Sequence, residues 1–447
     1  MKQFFFRVIV PVLFLSLFVF SCKKDDDDNS KSYTDDYSAE VATEWMALLL
    51  KLTKEGPGFT PPVAARAFGY AGLTLYESVR PGMPGYKSMA GKVNGFTAGM
   101  LPEAEDKPYH WGAVANAAMA TIARSCYSNA TAENKAAVDS LENHFANDHF
   151  KPEVSQDVLD RSISYGKSVG SAMVAYAVSD FQAECFNTNF PASYAPPVGP
   201  GLWEPTPPAF QKALQPYWGS VRPFLTKNVT ETLPAPPPAY STDLNSAFGK
   251  EAMEVYNTVK SLTAEQLLIA NYWSDDPGKT ATPPGHSIAI LKQILEDENA
   301  DLATAAEAFA KVGMGVHDAF VSCWHTKFIY NLLRPITFIQ QQIEPGFTVP
   351  LNTPPFPEYT SGHSVQSGAT SEILTRLFGP NYAFTDRTHV NRSDIDGTPR
   401  PFSSFYDFAD EAAISRLYGG IHFRTAIEAG VAQGRIIGVN ISNLDFK

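Results

Sequence analysis

Residues 357–364 read Pro-Glu-Tyr-Thr-Ser-Gly-His-Ser, and the chain continues as VQSGATSEILTRLF through Phe378. A proline-rich approach stops where helical patterning starts, so a helix is expected to begin near Ser361. The first backbone N–H groups of a helix lack internal partners, and the helix dipole is positive there, so this end favours an oxyanion. Gly362 lets the backbone come close to a ligand, and Ser361 can donate a hydroxyl hydrogen bond. Taken alone, the same residues also describe a simple capping serine followed by a surface histidine.

Two further groups change the balance. Upstream, Trp324, Lys327 and Arg334-Pro335 lie among Phe320, Phe328, Ile329, Leu332 and Leu333. Seven residues turn a helix through about two turns, so Lys327 and Arg334 are expected on one face of a buried helix. Downstream, Ser415-Arg416 is followed after five residues by His422, with Gly419-Gly420 between them. Six positions do not share a helix face, but the glycines are expected to break the helix and turn both side chains to one point.

The wider pattern is helical. Apolar spacing predicts helices over 37–52, 63–79, 110–127, 131–147 and 154–179, then an irregular, proline-dense connection over 186–241. Helices are expected again over 244–259, from Thr263 with a capping box to Gln266, over 286–297 and 301–333, and over 409–418 and 421–441. No alternating strand series or fixed repeat is visible. The fold class expected is mainly α, two packed helical bundles with long Pro-rich loops. The divisions expected are 1–21 leader, 22–37 acidic tether, 38–240 N-terminal helical region and 241–447 C-terminal region carrying the site.

The leader pairs Lys2 and Arg7 with an apolar run ending at Phe20-Ser21-Cys22. This resembles a lipoprotein signal peptide with Cys22 lipidated. The Asp25–Asp28 run after it resembles the surface-export signal of Bacteroidetes lipoproteins. An outer-membrane lipoprotein facing the periplasm or cell surface is therefore expected. Net charge is −12, and loss of Lys2 and Arg7 would leave 33 basic against 47 acidic residues. That balance excludes a nucleic-acid binder, which needs a basic footprint. Cys126, Cys185 and Cys323 allow one disulfide without choosing its pair. His317-Asp318 reads as a polar packing pair, His144 and His149 as solvated, and Asp386–Asp396 as a solvated loop. His286 opens a helix and has a weak claim on the pocket.

The order Lys-x6-Arg-Pro, Ser-Gly-His, Ser-Arg-x5-His resembles the signature shared by vanadium-dependent haloperoxidases and type 2 phosphatidic acid phosphatases. The resemblance implies a haloperoxidase-like helical fold with vanadate held by Lys327, Arg334, Ser361, Gly362, Arg416 and His422, phosphate being its competitor. It implies His422 as the vanadium ligand, His363 as the acid–base residue, and Lys327 as the group that polarises peroxide. Trp324 and Phe356 would form an apolar halide pocket, and Asp276 in Tyr272-Trp273-Ser274-Asp275-Asp276 would pair with Arg416. Hydrogen peroxide and halide are then the reactants. In the phosphatase branch a phosphate ester is the substrate, His422 the nucleophile and His363 the acid. A non-catalytic anion-binding surface lipoprotein is the third reading. The family pattern commonly has Asp four residues after the last His, where this chain has Ala426. Its loss weakens the phosphatase branch, and Glu428 nearby is no assured substitute.

Overall fold

The computed structural model describes residues 31–447, so the leader and the Cys22 anchor lie outside the described residues. The end of the expected tether already belongs to the packed body. Ser32 Oγ donates to the Tyr109 carbonyl at 2.7 Å, and buried Thr34 Oγ1 donates to that of Val79 at 2.8 Å.

Helices α1 (Glu40–Glu55), α2 (Pro61–Val79), α3 (Trp111–Cys126), α4 (Ala132–Asn143) and α5 (Gln156–Val178) form the first half. A π-helical turn follows α4 and absorbs the end of the expected 131–147 helix. The connection from 186 is irregular apart from short 3-10 turns, one at Trp218–Ser220, and the short α6 (Lys227–Thr230). Then come α7 (Ala247–Lys260), α8 (Ala264–Tyr272), α9 (Thr282–Asp297), α10 (Leu302–Tyr330), α11 (Pro335–Gln342), α12 (Gly362–Phe378), α13 (Phe405–Tyr418) and α14 (Arg424–Ser442). A three-residue antiparallel ladder of β1 (Phe384–Asp386) with β2 (Arg400–Phe402) went unseen in the sequence, because it is too short to alternate. The mainly α fold is as expected.

Buried on nearly all sides, α2 and α10 run through the main core. A helix without a polar face must be enclosed by others. Their backbones touch: a Cβ on Gly72 would meet the Phe309 carbonyl oxygen at 2.3 Å. Asp301 caps α10 by accepting from Thr304 N at 2.7 Å, and Asn331 ends it at φ +46. The seven-residue spacing therefore does not lie on one helix. Lys327 is in the last turn of α10, and Arg334 is the extended N-cap residue of α11, whose N1 position is Pro335. The irregular connection braces this elbow, with Trp203 N donating to the Asn331 carbonyl at 2.6 Å and Leu333 N to that of Gly201 at 3.0 Å.

A second core of Phe248, Phe338, Phe347, Leu417 and Phe423 joins α7, α11, α13 and the start of α14. Between the cores α12 lies along α14. The Gly434 position faces Val365, where an added Cβ would come within 2.0 Å of the carbonyl oxygen. No disulfide forms among the described cysteines: Cys126, Cys185 and Cys323 are free and buried. His317 and Asp318 serve packing, though not as a mutual pair. His317 Nε2 lies 3.1 Å from the Arg222 carbonyl, and Asp318 accepts from Phe224 N, Leu225 N and Asn228 Nδ2.

Gly434→Ala is expected to lower unfolding free energy by about 1–3 kcal/mol through overpacking, outweighing the ~1 kcal/mol helical advantage of alanine. A denaturant midpoint equal to or above that of the wild type would contradict this close approach.

Candidate active site

Gly362, His363, Arg416 and His422 line one cavity of about 260 Å³, and Trp324 of the third segment adds to its wall. The turn after α13 works as the glycines suggest: Gly420 takes φ +72, and Ile421 N returns to the Arg416 carbonyl at 3.1 Å. Arg416 and His422 then line the same cavity as Gly362 and His363.

Lys327 and Arg334 are fully buried behind that surface. Lys327 Nζ donates to the carbonyls of Pro357 at 3.0 Å, Glu358 at 2.9 Å and Thr360. All three ammonium hydrogens are thus directed at the loop that presents Ser361. Arg334 Nε donates to the Phe356 carbonyl and Nη1 to that of Ile421, each at 2.8 Å. Nη1 also lies 3.2 Å from His422 Nε2, while Nη2 has no partner. Burial lowers the pKa of Lys327 to about 7 and those of Arg334 and Arg416 to about 10. Desolvated cations with unpaired donors are stabilised by an anion.

His422 is fixed from its other side. Its Nδ1 lies 2.8 Å from Glu358 Oε1, which also accepts from Phe423 N at 2.8 Å. Burial pushes the Glu358 carboxyl up to about 8, against the pull of Lys327 and Arg334. Burial, reinforced by Arg334 and Lys327, holds His422 well below its ordinary value. The ring is therefore neutral, with Nδ1–H on Glu358 and the Nε2 lone pair turned to the Arg334 guanidinium. The sequence reading missed Glu358. The only signal was a carboxylate in a Pro-rich approach three residues before Ser361. Ala426 is buried, its carbonyl accepting from Ser361 N at 3.1 Å. The orienting carboxylate absent at 426 is supplied from 358, so the argument from Ala426 against a nucleophilic His422 loses its basis.

His363 stands in the first turn of α12, with Nε2 buried and unpartnered. Burial, then Arg416, keeps it well below its ordinary value. Ser361 caps the helix, its Oγ accepting from Ser364 N at 3.4 Å. Arg416 Nε donates to Ser415 Oγ at 2.9 Å and Nη2 to the Ala270 carbonyl at 3.2 Å. Asp276 lines the same cavity as Arg416 and the two charges act on each other, but no ion pair forms between them. The apolar wall joins Trp324 to Phe356, ring centroids 4.8 Å apart. Trp324 Nε1 donates to the Leu214 carbonyl at 3.2 Å, and Leu214 N to that of Pro355 at 2.8 Å. Thr60, Phe190 and Gln211 bring the N-terminal half into the same wall, which no motif announced.

The fold and pocket are those of a helical protein built around a buried pocket rich in basic side chains. A family model, "VCPO second helical-bundle domain", matches residues 344–444. A vanadium chloroperoxidase of Curvularia inaequalis is 25% identical over 263 residues, 45% of this chain and 42% of that protein's length. The crystal structure of a bacterial vanadium-dependent iodoperoxidase superposes with TM-score 0.82 at 36% identity, covering 92% of this chain and 98% of the other. A holo-type bacterial vanadium-dependent chloroperoxidase shares the fold at TM-score 0.65 and 16% identity, covering 87% of this chain and 92% of the other. The chain belongs to the vanadium-dependent haloperoxidase family.

The cavity's charge is expected to titrate near neutrality. As pH rises from 6.5 to 9, Lys327 and Glu358 each lose a proton, and each loss makes the pocket less positive. Affinity for sulfate, whose charge is constant over this range, should fall steadily in calorimetry. Lys327→Met should bind more weakly and show a shallower slope. A wild-type affinity independent of pH would contradict the assignment. Glu358→Gln is expected to weaken oxyanion binding by about 10–100-fold, the usual effect of removing a carboxylate that orients a ligating histidine.

Proposed function

We propose that this chain holds vanadate in the cavity and oxidises halide with hydrogen peroxide, releasing hypohalous acid. The observation that carries the reading is the neutral His422, fixed through Nδ1 by Glu358 with Nε2 turned to Arg334 among three buried basic side chains. A pentavalent oxyanion fits this donor set: one imidazole nitrogen for the metal, with charge and N–H donors for the oxygens. His422 would hold the metal. Arg334, through its unpartnered Nη2, and Arg416 would hold oxygens, with the Ser361 hydroxyl and the Gly362 N–H at the start of α12. Bound vanadate supplies the Lewis acidity that activates hydrogen peroxide towards halide.

His363 accepts a proton from incoming peroxide at its unpartnered Nε2 and returns it to the leaving oxygen. Its depressed pKa keeps it neutral and ready for the first of these transfers. Lys327 acts mainly through charge and by fixing the 357–360 loop, because its hydrogens are already engaged. That differs from direct contact with peroxide, which would need one of those bonds to open. Trp324 and Phe356 give a low-polarity wall against which a weakly hydrated halide loses little solvation. The iodoperoxidase relative makes iodide the first halide to try, followed by bromide and chloride. A lipid anchor on Cys22 would hold the enzyme at a membrane, outside the cytoplasm.

The Glu358–His422 pair also favours a second reading. A carboxylate-oriented histidine is what nucleophilic attack on a phosphate ester requires, with His363 protonating the leaving group.

Vanadate-dependent halogenation of a chromogenic phenol, inhibited by phosphate, is expected. Phosphate release from an aryl ester that vanadate inhibits, without halogenation, would establish the phosphatase instead. His422→Ala is expected to reduce vanadate affinity by about 100-fold or more while leaving the thermal unfolding transition close to wild type. A folded variant with full affinity would sink the assignment.

A further inference from the structure

A second buried cluster lies beside the oxyanion pocket. Asp275 follows α8 in left-handed backbone at φ +49, a conformation aspartate tolerates better than most residues, and this turns its carboxylate inward. His286 stands in the second turn of α9, and His389 lies between β1 and β2. All three are at most 2% exposed. Their ligand atoms lie within 4.8 Å of one another. His286 Nδ1 is 2.9 Å from Asp275 Oδ2, and His389 Nε2 is 3.4 Å from Asp275 Oδ1. Neither Asp275 Oδ1 nor His389 Nε2 has a hydrogen-bond partner. Two such atoms, fully buried and facing each other, call for something between them.

The surroundings are arranged as around a metal ligand. Asp386 Oδ2 lies 2.7 Å from His286 Nε2, on the side away from Asp275. Asp386 is itself held by the Tyr272 hydroxyl at 2.9 Å and by Thr388 N at 2.9 Å. A carboxylate on the outer nitrogen of a histidine fixes its tautomer and leaves the inner nitrogen to bind. Trp273 stacks on the His286 ring at 4.5 Å, fixing its plane. A cavity of about 330 Å³ opens onto Asp275, His286 and His389, with room for water. The sequence had suggested that Asp386–Asp396 was solvated loop, yet Asp386 and His389 are buried here.

We infer that Asp275, His286 and His389 form a divalent-metal site, separate from the oxyanion pocket, with water from the adjoining cavity completing the shell. Two imidazoles and one carboxylate suit a borderline cation such as Zn²⁺. Tetrahedral bonds of about 2.0–2.1 Å place ligand atoms ~3.4 Å apart, the separation between Asp275 Oδ1 and His389 Nε2. Asp275 and Asp386 bring two negative charges, which a divalent cation balances with both imidazoles neutral. Lys51, Lys54, Lys279 and Arg392 line the cavity against Glu55, a field that favours an anion on the metal's open position. Asp275 borders both cavities, so the ion would rigidify the wall shared with His363. The alternative is a knot of protons, with His286 an imidazolium between two carboxylates.

The mature chain, stripped with a chelator, is titrated with Zn²⁺ by calorimetry and with Co²⁺ by visible absorption. One equivalent per chain and the intense bands of four-coordinate Co²⁺ are expected in wild type, and equally in His422→Ala, which separates this site from the oxyanion reading. His389→Gln should lose at least tenfold in affinity, and Asp386→Asn about 10–100-fold. Should a variant fail to fold, X-ray absorption of the Zn²⁺-loaded wild type reads the shell directly, with two imidazoles expected. Absence of stoichiometric binding, indifference to His389→Gln in a folded variant, or an oxygen-only shell would overturn the inference in favour of the proton knot.

Discussion

Burial of the Lys327 ammonium under three backbone carbonyls organises the centre of this molecule. A charge removed from water must be paid for by close, well-directed partners, and the Pro357, Glu358 and Thr360 carbonyls provide them. Gathering these carbonyls on one point sets the path of the loop entering α12. That path sends the Glu358 side chain to His422 and places Ser361 at the cap of the helix. One buried cation therefore positions both the carboxyl group that orients His422 and the helix end that carries Gly362 and His363.

The helical frame keeps this loop in register with the other contributors. α12 and α14 approach closely enough at Gly434 that the helix bearing His363 packs backbone to backbone against the helix following His422. The α10–α11 elbow aims Arg334 at His422, with Asn331 supplying the left-handed residue that reverses the chain. The proline-rich connection then acts as structure: Tyr330 and Tyr359 hydroxyls donate to the Pro234 and Ala235 carbonyls, tying it to both sides of the site. Rigid placement of this kind suits electrostatic catalysis, in which donors must be aimed before charge develops.

What the sequence disclosed follows the range of the interactions involved. Helix periodicity and the glycine break before His422 are local signals, and they located most elements and the convergence of Arg416 with His422. Lys327 and Arg334 do converge, but through a helix end and an elbow that simple spacing arithmetic does not contain. Glu358 was invisible because its meaning depends on a contact 64 positions away. Asp275, His286 and His389 are equally scattered, and their meeting depends on the turn after α8 and the loop after β1. Asp276 shows the converse case: the family resemblance implied a pairing with Arg416, and the structure keeps the attraction between their charges without a direct ion pair.

On the proposed reading His422, oriented by Glu358, holds the oxyanion in the cavity between His363 and Arg416. Anomalous diffraction at the vanadium edge from vanadate-soaked crystals tests it most directly. The expected result is a single vanadium peak within bonding distance of His422 Nε2, with Glu358 still on Nδ1. A peak elsewhere, or none at saturating vanadate, would contradict the account.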